Sequence, residues 1–261
     1  MRTRRLWAFI LVCLLLVPCI GLCQKREAQE RDIDRFTFTL GLKTLFLTDT
    51  EISYPDVGKV PNPFEVHYEG NLFGPVLSVQ IANTDMFWDN FEFMVSTYFG
   101  DLDAYDSVGD VNAVDNQFSL DLTYVRVDAC YRIIPHFSLF IDYHYKKFEF
   151  GRRKGDWPSD FAEDEELFGG GFGVKAGIPL GPSGVFIYGS GEFMPYAEFL
   201  INDSDAWGVM LKGGLGYTIE GGDWLPVALT TTVGYYYHKL DSDGYFDEQT
   251  DAASADIVVS W

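Results

Sequence analysis

The fold class this sequence predicts is all-β: a closed, antiparallel, up-and-down transmembrane β-barrel of about ten strands. Three observations predict it. Beyond residue 35, apolar and polar residues alternate with period two in ten successive segments. Aromatic residues make up 16% of the chain beside 26 Gly, a mixture that favours strands and turns over helices. After the first 23 residues, no apolar run approaches the ~20 residues that a membrane helix needs.

The chain opens "MRTRRLWAFILVCLLLVPCIGLC". Arg2, Arg4 and Arg5 precede an uninterrupted apolar run from Leu6 to Val17, which Pro18 breaks before the small residues Cys19, Gly21 and Cys23. That run is too short to span a bilayer, so residues 1–23 read as a cleaved secretory leader. Cleavage after Cys23 leaves Gln24 first. Cleavage before Cys23 would make a lipoprotein, but Leu22 is large for the preceding position. Loss of the leader leaves Cys130 as the single cysteine, so no intramolecular disulfide is expected in an oxidising compartment. Cys130 reads as a small packing residue. Residues 24–35 form a short neutral segment ahead of the barrel, 36–261.

The segments follow in order. "FTFTLGL" opens the first, 36–47, with Phe36, Phe38, Leu40 and Leu42 on one face and Thr37, Thr39 and Lys43 on the other. In 73–83, Phe73, Leu77, Val79 and Ile81 share a face. In 90–100, Phe91, Phe93 and Val95 oppose Glu92 and Ser96. Segments 117–131 and 137–150 flank the tight turn "RIIPH". In 167–178, "FGGGFGVKAG" turns Gly169, Gly171 and Gly173 inward with Lys175. Segment 185–199 follows, and in 207–219 "WGVMLKGGLGY" repeats the glycine pattern around Lys212. Segments 226–240 and 253–261 complete the set.

Residues 48–72, 101–116, 151–166 and 241–252 read as long polar loops, alternating with tighter Gly- and Pro-containing turns. An even strand count with apolar-out, polar-in strands and connections long at one end fits a membrane barrel. A soluble β-sandwich would alternate too, with its apolar face inward. Aromatics near segment ends (Phe87, Trp88, Trp157, Trp207, Trp224, Tyr235 to Tyr237, Trp261) favour the membrane, where interfacial girdles collect them.

The chain ends "ADIVVSW". With Ile257, Val259 and Trp261 at alternate positions, this ending resembles the C-terminal assembly signal of bacterial outer-membrane barrels. The glycine frequent further upstream in that signal is absent, with Asp256 near its place. The resemblance implies an outer-membrane location with both ends periplasmic. It also implies outer-membrane lipid, lipopolysaccharide and the barrel-assembly machinery as partners.

Removal of the leader arginines takes the formal charge from −20 to −23. Most of it falls on the long connections, which argues against nucleic acid as a partner. Divalent cations are possible partners for these acidic loops. Asp241, Asp243, Asp247 and Glu248 form the densest oxygen cluster, without the regular spacing of a calcium loop, and a solvated loop is the simpler reading. Within the segments, Lys43, Glu92, Asp121, Asp142, Lys146, Lys175 and Lys212 alternate with the apolar set and so point into the lumen. Arg126 and Asp128 join them if the strand bulges near Tyr124, and Glu192 does so if Val185 and Ile187 face lipid. Near-balance of sign predicts mutual pairing, since unpaired charge in a narrow lumen is costly.

Catalysis would need a His with a carboxylate or Ser in reach. "FIDYHYKK" puts Asp142 and His144 on the inward face, the best candidates for such chemistry. Ten-stranded barrels include proteases of the omptin family and smaller ones include lipid A deacylases, but the paired-Asp, His-Asp and His-x-Ser motifs of those families are missing here. No cofactor is expected. The sequence therefore points to a non-enzymatic envelope or surface-presenting barrel. A narrow porin-like channel and a hydrolase of lipid A or peptides are the alternatives.

Overall fold

The computed structural model describes residues 36–54, 64–81, 90–108, 118–152, 165–199, 204–220, 227–242 and 247–261. Ten strands run through them: β1 Phe36–Tyr54, β2 Phe64–Ile81, β3 Phe91–Val108, β4 Phe118–Ile134, β5 Phe137–Arg152, β6 Glu165–Pro179, β7 Val185–Phe199, β8 Ser204–Glu220, β9 Ala228–Ser242 and β10 Asp247–Ser260. Each pairs antiparallel with the next, and β10 returns to β1, so the sheet is a closed barrel.

Closure uses nearly the whole length of both outer strands, from Thr39 opposite Ser260 to Ser53 opposite Asp247. Beyond the last strand residue, the Phe38 amide donates to the Trp261 carbonyl at 2.9 Å, and the Trp261 amide donates to the Phe38 carbonyl at 3.0 Å. The Thr39 and Ser260 hydroxyls meet at 3.0 Å. The final tryptophan is thus tied into the sheet, its ring 6.3 Å from that of Phe38. Ile257 faces outward, more than half exposed.

The strands have 14 to 19 residues, whereas a tilted strand crosses the hydrocarbon core in about 9–11. The composition shows which part lies in lipid. In the half nearest the chain ends, Phe36, Leu40, Leu42, Phe73, Phe93, Ile141, Phe172, Leu215 and Val233 point outward and are exposed. In the far half, outward and exposed positions include the acids Asp49, Glu69, Asp101, Asp121 and Asp205, beside the aromatics Tyr105 and Trp207. There many inward positions are apolar: Ile52, Leu102, Leu120, Phe148, Phe199 and Leu240 are all 0% exposed, with Glu165, Glu248, Thr50 and Thr250 buried among them. Most strands therefore reverse their polarity along their length; β10 does not, since its far-half inward residues are Glu248, Thr250 and Ala252. The near half is apolar outside, as lipid requires, and the far half is apolar inside, as water requires.

This reversal corrects three expectations. First, the lumen is not polar throughout, because its far half is largely apolar, with Glu165 and Glu248 buried within it. Second, residues 48–54, 64–72, 101–108 and 247–252 are strand rather than loop. Third, Asp121 faces outward, opposite Asp101 on β3 and Glu149 on β5. No bulge occurs near Tyr124: β4 pairs without a break from Phe118 to Arg132, and its even-numbered residues point inward throughout. Arg126 and Asp128 are in phase with Leu120 and Leu122. The apolar set changes face; the backbone does not.

A real irregularity lies in β1, where the register shifts between Phe46 and Asp49. It brings Thr48, Thr50 and Ile52 inward and leaves Asp49 and Glu51 outside. A second lies in β7 between Met194 and Ala197. It holds Pro195, which has no amide hydrogen to offer a ladder. Of the aromatics expected at interfaces, Trp207 and Tyr235 are outward and exposed and Tyr236 is inward and buried. Phe87, Trp88, Trp157 and Trp224 lie outside the described residues.

Deleting residues 255–261 removes the lower half of the β1–β10 seam. Each backbone group left unpaired in lipid costs several kcal/mol. The truncated chain is expected to be exported but not assembled. Protease digestion of whole cells and heat-modifiable gel migration check this, with the full-length barrel resistant and the truncated one degraded.

Candidate functional site

The inward polar residues form three groups, set by strand register. Nearest the chain ends, the Lys175 ammonium on β6 pairs with Glu92 on β3 across the lumen. These two remain accessible at 32% and 24% of their side-chain surface, and Cys130 lies buried on the same inward face of β4. Higher up, Lys212 reaches Asp256 at 2.6 Å, and the Lys43 ammonium lies 3.8 Å from the Met94 sulfur.

The middle group is the densest. Arg126 on β4 donates from Nη2 to Asp142 Oδ2 at 2.9 Å, lies 3.1 Å from Glu192 Oε2 through Nη1, and pairs through Nε with Asp128 Oδ1. His144 stands two residues beyond Asp142 on β5, so both share the inward face. Its Nε2 lies 3.0 Å from Asp142 Oδ1 and 2.7 Å from Glu192 Oε1, while its Nδ1 meets the Tyr124 hydroxyl. The two rings stack with an interplanar angle of 7°. The side chains of Asp142, His144 and Glu192 are exposed by no more than 2%.

Above this cluster, Lys146 pairs with Glu248, which lies in register between Ile52 and Leu240 of the apolar layer, and sits 3.3 Å from His238 Nδ1. Thr250 donates to Glu248 at 2.8 Å, and its hydroxyl meets that of Thr50 at 3.1 Å. Arg126 lies over the Phe140 ring and Lys146 over Tyr124 and Phe148, so the cations are also held by aromatic faces.

The structure therefore brings Lys43, Glu92, Arg126, Asp128, Asp142, His144, Lys146, Lys175, Glu192 and Lys212 into the lumen, and Asp121 outside it. The proposed oxygen cluster near 241–252 is dispersed. Asp241 is the penultimate residue of β9, Asp247 and Glu248 open β10, and Asp243 is outside the described residues. Glu248 is buried in the lumen rather than solvated.

Tyr124, His238 and Thr250 were not anticipated, although His238 could be found from the inward phase of Gly234 and Tyr236. A second unanticipated cluster lies on the outer surface of β1 and β2. There His67 Nε2 lies 2.8 Å from Glu65 Oε1, Nδ1 lies 3.6 Å from Asp49 Oδ1, and Glu51 is opposite on the paired strand. Reading 48–72 as a loop hid it.

Chemically, the Asp142–His144 pair has the spacing of an acid–base dyad. Nδ1 is taken by the Tyr124 hydroxyl, Nε2 lies between Asp142 and Glu192, and the pair lies beneath the apolar layer. The middle group's main capacity is to hold charge: three carboxylates share one guanidinium.

No family model matches the chain, and no curated protein matches it by sequence. Solved structures do match. The outer membrane protease OmpT from Escherichia coli superposes with a TM-score of 0.52 at 7% identity, covering 90% of this chain and 99% of that one. Neisserial surface protein A gives 0.38 at 14% identity, over 85% and 96%. The translocator domain of the autotransporter NalP from Neisseria meningitidis gives 0.40 at 9% identity, over 97% and 95%. At such identities the likeness is one of fold: this chain has the architecture of outer-membrane β-barrels.

Removing Arg126 would leave Asp128, Asp142 and Glu192 crowded together without their shared cation. Arg126→Ala is therefore expected to destabilise the barrel by about 3–5 kcal/mol, as breaking a buried pair does, with Arg126→Lys losing less. Urea titration of the folded fraction in lipid vesicles measures the difference.

Proposed function

We propose that the chain is an outer-membrane barrel that does not conduct, stabilising the envelope and presenting an acidic rim outside the lipid. The observation that carries this reading is the closely packed, mostly apolar layer across the far half of the lumen, in which the Glu248 carboxylate is paired with Lys146. Ile52, Leu102, Leu120, Phe148, Phe199 and Leu240 come from six different strands and are fully buried. A hydrated path for ions has to cross that layer, and apolar constrictions exclude water. The paired charges below it argue the same way, since a selective pore would more readily carry an excess of one sign.

The outward acids Asp49, Asp101 and Asp121 give the projecting half its polar surface. Such a surface suits divalent cations bridged to the phosphates of lipopolysaccharide. In this reading residues 1–23 are removed on export and the chain ends face the periplasm. The barrel-assembly machinery then recognises the β10 ending, with Ile257, Val259 and Trp261. Hydrolysis of lipid A or peptides by Asp142 and His144 is disfavoured, because that pair is buried under the apolar layer rather than open at the far mouth.

Planar-bilayer recording tests the reading. The purified barrel should show no steady conductance. Truncating two members of the layer together, Phe148→Ala with Phe199→Ala, should produce lasting openings. Steady conductance of the unmodified protein would overturn the assignment in favour of a porin-like channel.

A further inference from the structure

We propose that Asp142, His144 and Glu192 form a binding site for a divalent first-row metal ion inside the lumen, of the Zn2+ or Mn2+ class. The inference does not depend on whether the barrel conducts. Asp142 Oδ1, His144 Nε2 and Glu192 Oε1 converge so that all three lie within 4.8 Å of one another. Two of the separations are 3.0 and 2.7 Å. Although all three atoms are buried and in reach of one another, none makes a hydrogen bond of good alignment. Buried polar atoms left so are costly, and a cation among them removes the cost.

Everything around the trio aims these atoms inward. The second oxygen of each carboxylate is held by Arg126, at 2.9 Å for Asp142 and 3.1 Å for Glu192. His144 Nδ1 is held by the Tyr124 hydroxyl. Partners on the outward atoms of ligands, leaving the inward ones free, are the second shell that metal sites use to orient their ligands. Space is kept by Gly171 on β6. A Cβ there would lie 2.6 Å from Asp142 Oδ1 and 2.9 Å from Glu192 Oε1.

Charge and ligand type narrow the occupant. Asp128, Asp142 and Glu192 face a single guanidinium, so carboxylates outnumber the one fixed cation of the cluster, and a bound cation would offset that excess. An imidazole beside two carboxylates suits borderline first-row ions, whereas Ca2+ and Mg2+ favour oxygen ligands alone. Ligands at ~2.1 Å from an ion are about 3.0 Å apart at octahedral right angles and about 3.4 Å apart in a tetrahedron, so the separations here suit the octahedral coordination of Mn2+ better than tetrahedral Zn2+. The outer cluster of Glu51, Glu65 and His67 has similar donors but is partly exposed and has no such surrounding shell. It serves as the internal control.

The test uses the full chain refolded in detergent, stripped with a chelator and checked for folding by heat-modifiable migration. After equilibrium dialysis against Zn2+ or Mn2+, metal content should be one equivalent per barrel, and the unfolding temperature should rise with metal concentration. Glu192→Gln and His144→Ala should weaken binding by at least about 100-fold, and Tyr124→Phe, which keeps all three ligands, by about 10-fold. If either ligand variant fails to fold, Tyr124→Phe and Gly171→Ala carry the comparison. The double variant Glu65→Gln, His67→Ala should bind as the unmodified barrel does. The proposal is overturned if the folded barrel holds less than about a tenth of an equivalent, a level far below single-site occupancy. It is equally overturned if folded lumen variants keep full affinity, or if binding is lost with His67 instead.

Discussion

A β-sheet in hydrocarbon cannot have a free edge, and the rest of this structure depends on that constraint. Lipid offers nothing to an unpaired backbone amide or carbonyl, so β10 must return to β1, and it does so along nearly its whole length. Ten strands closed in this way enclose a narrow interior. A narrow interior must be filled or hydrated, and here the filling differs by level: charge pairs and glycines where the wall crosses lipid, and close-packed apolar side chains where it stands in water. The interior chemistry is thus a consequence of closure combined with whichever solvent surrounds the wall at that height.

The lipid-crossing half was legible in the sequence because one rule governs it, apolar outside and polar inside with period two. Residues 36–42 follow it without exception, and 91–95 break it only at the inward Met94. The projecting half obeys the opposite rule, and this is why it was hidden. In "FSLDLTYVRVD", Leu120 and Leu122 are apolar and inward while Val125 and Val127 are apolar and outward. If apolar residues are assumed always to face lipid, such a switch demands a bulge and sends Asp121 inward. Both inferences fail, because what changes at Tyr124 is the medium outside the wall. Likewise "TDTEISY" and "FEVHYEG" alternate correctly, but with acids outside they read as loops.

The interior cluster was legible only strand by strand. Asp142 and His144 are two residues apart and share a face by periodicity alone. Their partners come from distant parts of the chain. Lys146 and Glu248 are 102 residues apart, and Glu192 meets His144 only because β6 between them is almost side-chain free at Gly169, Gly171 and Gly173. Pairwise contact across a barrel depends on shear and register, which no local pattern reports. The glycines were visible in sequence as room for long side chains, but the identity of the side chains reaching across was not.

The reversal of polarity along the strands also divides the barrel thermodynamically. Side chains such as Phe73 and Ile141 gain little from folding in a solvent as apolar as themselves, and that half is held by its hydrogen-bonded ladder. Leu102, Phe148 and Phe199 are sheltered from water, so the projecting half is held as a soluble protein is, by a force that is largely entropic near room temperature and carries a large heat-capacity change. Cooling and urea weaken that force. One continuous sheet thus contains two regions with different temperature dependence, and the region outside the lipid is the one that loosens in the cold.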